Sequence, residues 1–320
     1  ILWGNILTHI YYGLNSMLRS IGHPKIAMYA TILAVVMNII LDPIFIFVLD
    51  MGVRGAALAT MISQLVSVVI ELVIFLNPKE VIYFHRGIWR LKRDITMRAL
   101  GIGTAPFLMH MASCFVVIVL NNQLKRYGGD MAIATFGITN RFMFFFAMVV
   151  MGLNQGMQPI VGYNYGAKQY DRVLKALKYT IMCATTVTTI AFLIGFFFPR
   201  EVASAFVDAS SSNIDKAMVD VVSQGLGVAM LVFPLVGFQI VAGSFFQYIG
   251  RAPLAMFLSA TRQLLFLLPM LLILPKQFGA MGAWMSMPIA DACSVLVAGT
   301  LLYLQVRKLR RMEHDRHFSH

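Results

Sequence analysis

Residues 36–47 read V-M-N-I-I-L-D-P-I-F-I-F. Val, Met, Ile, Leu and Phe surround one asparagine, Asn38, and one aspartate, Asp42, which Pro43 follows. The run continues on both sides, over about 26–49, long enough to cross a bilayer as a helix. Similar runs recur along all 320 residues, of which 59% are hydrophobic and only 12% charged. A soluble domain carries about 25% charged residues. The fold class expected is an all-α polytopic membrane protein, because a membrane β-barrel shows short alternating strands instead.

The other spans predicted are 1–19, 53–77, 101–123, 132–159, 176–198, 220–247, 254–275 and 280–305, helical because helices satisfy their own backbone in lipid. The formal net charge of +12 would suggest nucleic acid on a soluble protein. Here the basic residues sit between apolar runs, so no nucleic-acid partner is expected. Taken alternately, one set of loops with its edges holds eighteen Lys and Arg and the other six. The richer set is assigned to the cytoplasm, with the tail after 305 inside; the plasma (inner) membrane is the expected location. The chain opens on Ile1-Leu2-Trp3, within an apolar run, which suggests that an odd number of earlier spans is missing. Cys114, Cys183 and Cys293 lie in apolar runs with no metal or disulfide spacing.

A repeat is visible. R-S-I-G-H-P-K-I-A-M-Y at 19–29 matches Q-Y-I-G-R-A-P-L-A-M-F at 247–257, pairing Gly22 with Gly250. M-G-V-R-G-A-A at 51–57 matches F-G-A-M-G-A-W at 278–284. Three helices recur after six spans, so the copies point the same way, a parallel repeat. The expected organisation is two six-helix lobes with nine of twelve helices present. Residues 1–77 hold the last three helices of the first lobe. Residues 78–100 form a basic cytoplasmic linker with Arg86, Trp89, Arg90, Lys92 and Arg93; 101–305 form the second lobe; and 306–320 form a tail.

A carboxylate at mid-membrane costs about 3 kcal/mol and usually marks an ion or proton path. Asp42 lies eight residues before Asp50, about 12 Å below the external end. Thr60 lies eight residues after Gly52 in the next, antiparallel helix, at about the same depth. Asn38 precedes Asp42 by four residues, on the same face, and Ala56 precedes Thr60 by four. Pro43 has no N–H, so the Ile39 carbonyl loses its helical partner. A carboxylate, an amide, a hydroxyl and freed carbonyls thus converge at one level. Such oxygens suit a hard cation, and the carboxylate alone could carry a proton. The alternative is a neutral structural aspartate bonded to Asn38 or a neighbouring helix. In the second copy, Leu265, Pro269 and Met287 stand at the matching places, so the cluster was not duplicated.

G-L-N-Q-G-M-Q-P-I-V-G-Y-N-Y-G-A-K-Q-Y-D-R-V at 152–173, M-N-I-I-L-D-P-I-F-I-F at 37–47 and M-G-V-R-G-A-A-L-A-T at 51–60 resemble the multidrug and toxic compound extrusion (MATE) family, nearest its bacterial MepA-like and DinF-like branches. The resemblance implies a twelve-helix antiporter that exports amphipathic, often cationic drugs against Na⁺ or H⁺, needs no cofactor beyond that ion, and works as a monomer in the lipid bilayer. The family's first-lobe cation site falls on Asn38, Asp42, a helix carbonyl at Ala56, and Thr60, with Na⁺ as the possible metal. It also uses an aspartate from a helix that this sequence does not contain.

Other polar residues in spans are His110, Arg141, Arg262 and Asp291. Arg262 and Asp291 could pair, and all four are weaker candidates for second-lobe polar sites. Glu71 is expected at the cytoplasmic interface. The 22 Met and 24 Phe would suit a lumen that repacks around varied substrates. H-E-x-x-H and G-x-S-x-G are lacking, so an enzyme is not expected. A lipid-linked precursor flippase of related architecture is the alternative. It would favour a basic cavity, for which the spans supply only Arg141 and Arg262.

Overall fold

The computed structural model describes residues 2–77, 83, 92–206 and 213–318. The expected linker residues Arg86, Trp89 and Arg90 lie outside them. The described residues are almost wholly helical, and the chain forms two compact units, Ile1–Thr96 and Met97–His320.

The first unit holds three helices: α1 (Leu2–Ser20), α2 (Pro24–Pro43) and α3 (Gly52–Phe75). Tyr11, Leu14, Leu18, Val68 and Phe75 form its core at one end, while small side chains line most of the contact between α2 and α3. On α2 the buried residues are Ala27, Ala30 and Ala34. On α3 a seam recurs every four residues: Gly55, Ala59, Ser63, Ser67, Glu71 and Phe75. Small residues at this spacing let helix backbones approach closely in a membrane. Phe47 and Val53, by contrast, are 78% and 80% exposed. At Pro43 the α-helix gives way to a π-helical turn, Ile44–Val48. A Cβ on Gly55 would strike the Phe45 carbonyl of this turn, so only glycine lets α3 pass there.

The second unit contains α4 (Arg93–Gly166), α5 (Tyr170–Phe197), α6 (Pro199–Phe206), α7 (Asn213–Met230), α8 (Phe233–Tyr248), α9 (Ala252–Ala260) and α10 (Leu268–Phe318). A π-helical turn, Thr261–Leu267, joins α9 to α10. Two of these helices are far longer than one span, and each is broken at one glycine. Gly129 has φ 66° and ψ −164° in α4, and Gly279 has φ 59° and ψ −142° in α10. Left-handed φ of this kind is open to glycine at little steric cost. Arg262 bonds Asp291 across 29 positions, about 43 Å apart had the helix run straight, so the chain folds back at Gly279. Leu267 and Leu271 accordingly pack with Ala283 and Ala290.

Among the described residues, five helices are long and apolar enough to cross a membrane. A sixth crossing comes from a pair bent by 54°, Ala217–Met230 with Phe233–Tyr248. The apolar run 220–247 predicts a single span. Pro234 explains the difference, because it offers no N–H to the Met230 carbonyl. The loop expected at 124–131 is also helical except at Gly129, and α6 occupies part of the connection expected at 199–219.

The glycines matched by the repeat share one conformation. Gly22 and Gly250 have φ of 96° and 75°, and Gly52 and Gly279 have 53° and 59°. Gly55 and Gly282 each lie where a Cβ would strike a backbone carbonyl, that of Phe45 and of Leu274.

Candidate functional site

Asn38 and Asp42 lie one turn apart on α2, both half-buried. The Asn38 Nδ2 donates to Asp42 Oδ1 at 3.2 Å and to Thr60 Oγ1 at 3.3 Å. The Thr60 hydroxyl donates in turn to the Ala56 carbonyl at 3.0 Å. The four residues named from the sequence therefore meet in one hydrogen-bonded cluster between α2 and α3. Two helix-periodic pairs at the same depth produce it, so the hairpin brings them into register. Pro43 and the π-helical turn follow directly, where the helical hydrogen-bond ladder is interrupted.

The cluster carries one carboxylate. Among the described residues no three His, Cys, Asp or Glu converge as a metal site. One negative charge with an amide, a hydroxyl and a carbonyl matches a monovalent hard cation or a proton better than a divalent ion, which gathers six or more oxygens. The Asn38 amide is the adaptable member. Its Nδ2 serves an ionised Asp42; a protonated Asp42 would donate instead, and the amide oxygen would have to receive it.

In the second unit Arg262 Nε lies 2.6 Å from Asp291 Oδ1, with Asp291 buried and Arg262 partly exposed. Arg262 sits inside the π-helical turn Thr261–Leu267. His110 and Arg141 are exposed on α4 and do not join this pair. The four second-lobe candidates thus resolve into one ion pair and two separate residues.

Glu71, one turn before the end of α3, is fully buried within the protein. Its Oε1 accepts from Asn15 Nδ2 at 2.8 Å. The same amide nitrogen lies 3.0 Å from the Ala27 carbonyl and 3.3 Å from Thr31 Oγ1. The Tyr11 hydroxyl donates to Thr31 at 2.9 Å, and Thr31 donates to the Ala27 carbonyl at 2.9 Å. Glu71 Oε2 is buried without a hydrogen-bond partner. Glu71 lies eleven residues beyond Thr60 along α3, about 16 Å from the level of the Asp42 cluster. The signal for Glu71 was present in the sequence as the four-residue seam that starts at Gly55.

A family model, MatE, matches residues 97–272. The chain is 29% identical over 295 residues to the multidrug export protein MepA of Staphylococcus aureus (strain bovine RF122 / ET3-1), covering 92% of this chain and 63% of that protein. It is 31% identical over the same length to MepA of Staphylococcus saprophyticus, with the same coverage. The chain thus spans 63% of the length of these curated relatives. Among solved structures, a crystal structure of MATE in complex with MaL6 superposes with a TM-score of 0.86 at 23% identity, covering 97% of this chain and 69% of that one. A MOP superfamily transporter from Pyrococcus furiosus Vc1 (DSM3638) gives 0.87 at 23% identity, covering 96% and 68%. The repeat, the α-helical membrane fold and the match over 97–272 agree: the chain belongs to the MatE family.

Proposed function

We propose that this chain serves in the export of amphipathic, often cationic compounds across the inner membrane, in exchange for Na⁺ or H⁺. The observation that carries the reading is the joined set Asn38, Asp42, Thr60 and the Ala56 carbonyl. The similarity to multidrug export proteins supports the substrate class.

The coupling ion binds at Asp42 and cancels its charge. Removing that charge lowers the cost of holding the hairpin in an apolar setting. Binding also reverses what Asn38 must offer, from donor to acceptor, so the α2–α3 contact through Thr60 is remade. Pro43 and the π-helical turn beside it give α2 a place to absorb the change, because the helical ladder is already interrupted there. The excess of basic residues in alternate loops supports a cytoplasmic C-terminus. The chain then acts as a monomer with its Asp42 end near the external side.

The flippase reading is less favoured. Asp291 neutralises Arg262, which leaves Arg141 of the two basic residues expected for such a cavity. The test is efflux of a fluorescent cationic dye from cells producing the chain, under imposed Na⁺ or pH gradients. Gradient-driven efflux is expected; absence of dye export together with transport of a lipid-linked precursor overturns the reading.

A further inference from the structure

A trough runs along one side of α5 in the second unit. Its mouth is a cavity of about 580 Å³ between the start of α5 and the last turns of α10, lined by Lys175, Lys178, Leu302, Val306, Arg310 and Glu313, among others. Ile181 and Met182 line this cavity and also a second one of about 520 Å³, which continues past Thr185, Thr186 and Thr189 to Ile190. The two meet at Ile181 and Met182, so a shallow groove on the surface of α5 leads away from the charged mouth.

The charges at the mouth do not cancel. Asp171 is engaged by Lys175 at 2.7 Å. The Glu313 carboxylate accepts the Tyr170 backbone N–H at 3.0 Å, at the start of α5. Lys178 and Arg310 are exposed and have no ion-pair partner among the described residues. Lys175, Lys178 and Arg310 face Asp171 and Glu313 here, so one positive charge is left over at the mouth. It favours an anion between the exposed Lys178 and Arg310, and Arg matches a phosphate oxygen pair in particular. Tyr179 and Tyr303 are 64% and 67% exposed, as expected of aromatic side chains at headgroup depth.

The wall of the trough is apolar despite its threonines. Thr186 donates to the Met182 carbonyl at 2.9 Å and Thr189 to the Thr185 carbonyl at 2.6 Å. The hydroxyls of Thr186 and Thr189 are thus satisfied within their own helix. From Lys178 to Ile190 is twelve residues, about 18 Å of helix, close to one leaflet of a hydrocarbon core about 30 Å thick. A free phosphate would fill only the mouth, and a neutral lipid would leave the cations unmatched.

We propose that this trough binds one anionic phospholipid, its phosphate between Lys178 and Arg310 and an acyl chain along Ile181–Ile190. The basic end lies in the cytoplasmic leaflet if the orientation proposed above holds, but the site itself does not depend on drug export or on Asp42. Basic pockets between membrane helices hold anionic headgroups in this way, each cation contributing through its charge.

The test is native mass spectrometry of the full chain in detergent with phosphatidylglycerol or phosphatidylcholine of identical acyl chains. One tightly retained phosphatidylglycerol is expected, with at least about tenfold weaker phosphatidylcholine retention. The Lys178→Ala/Arg310→Ala variant should bring the two lipids level. Met182→Trp, which fills the trough, should weaken phosphatidylglycerol while leaving both cations in place. A photoreactive phosphatidylglycerol should label peptides of α5 between 178 and 190 in the unaltered chain, so the proposal stands or falls even where a variant does not fold. Equal retention of the two lipids, labelling elsewhere, or displacement by millimolar inorganic phosphate alone would overturn it.

Discussion

The Asn38 amide nitrogen bridges Asp42 on its own helix and Thr60 on the next, at 3.2 and 3.3 Å. One side chain thereby links the carboxylate to the neighbouring helix. Thr60→Val removes the hydroxyl at nearly constant volume and leaves Asp42 untouched. Loss of one such hydrogen bond is expected to weaken ion binding by about 1 kcal/mol, roughly fivefold, with normal insertion. An unchanged ion dependence of dye efflux would place Thr60 outside the site.

Glu71 makes a different demand. Its side chain is buried against Asn15. Glu71→Gln keeps the acceptor for Asn15 and should fold. Glu71→Ala removes that acceptor and opens a cavity, with an expected cost of about 1–3 kcal/mol. Glu71→Lys places an unpaired cation in the seam and should prevent folding. Thermal unfolding in detergent, read by circular dichroism, ranks the three; equal stability of Gln and Lys would contradict the buried assignment.

Gly55 and Gly282 are matched by the repeat, and both face a backbone carbonyl within contact distance. Gly55→Ala and Gly282→Ala should each destabilise by about 1–3 kcal/mol, since the obstructing atoms are main-chain and cannot rotate away. Gly299, with open space around a Cβ, provides the control. Gly299→Ala should be neutral or slightly stabilising, because alanine is the better helix former.

The Arg262–Asp291 pair is largely enclosed on its acidic side. Arg262→Met alone leaves a buried carboxylate without its partner, and the cost is expected near 3 kcal/mol. Arg262→Met with Asp291→Leu removes both charges and should be less damaging than Arg262→Met alone. A double-mutant cycle on unfolding gives the coupling. If the paired change is worse than the single one, the interaction contributes through something other than charge compensation.

The membrane fold was legible in composition and run length, because lipid imposes helices about twenty residues long wherever apolar runs recur. The Asp42 cluster was legible because two i, i+4 pairs on adjacent helices need only a common depth to meet. The burial of Glu71 against Asn15 is not visible in its distance from the span's end. Its place in the Gly55–Phe75 seam, four residues from Ser67, was the stronger signal. The bend between Met230 and Phe233 was missed because hydropathy does not register a lost hydrogen bond, although Pro234 marked it. Helical continuation through residues 124–128 escaped for the opposite reason. Lys125 and Arg126 read as a loop by charge, yet a helix extends past the apolar core wherever nothing stops it before Gly129.

The central claim is that Asp42 is where the coupling ion binds. It is tested most directly on the purified chain, by equilibrium binding of radioactive sodium together with infrared titration of protonated carboxyl groups, comparing Asp42→Asn with Asp291→Asn. The account predicts that Asp42→Asn abolishes sodium binding or the corresponding protonation step, while Asp291→Asn retains it. Ion binding that survives Asp42→Asn in a folded chain would contradict the account and leave Asp42 as a structural partner of Asn38.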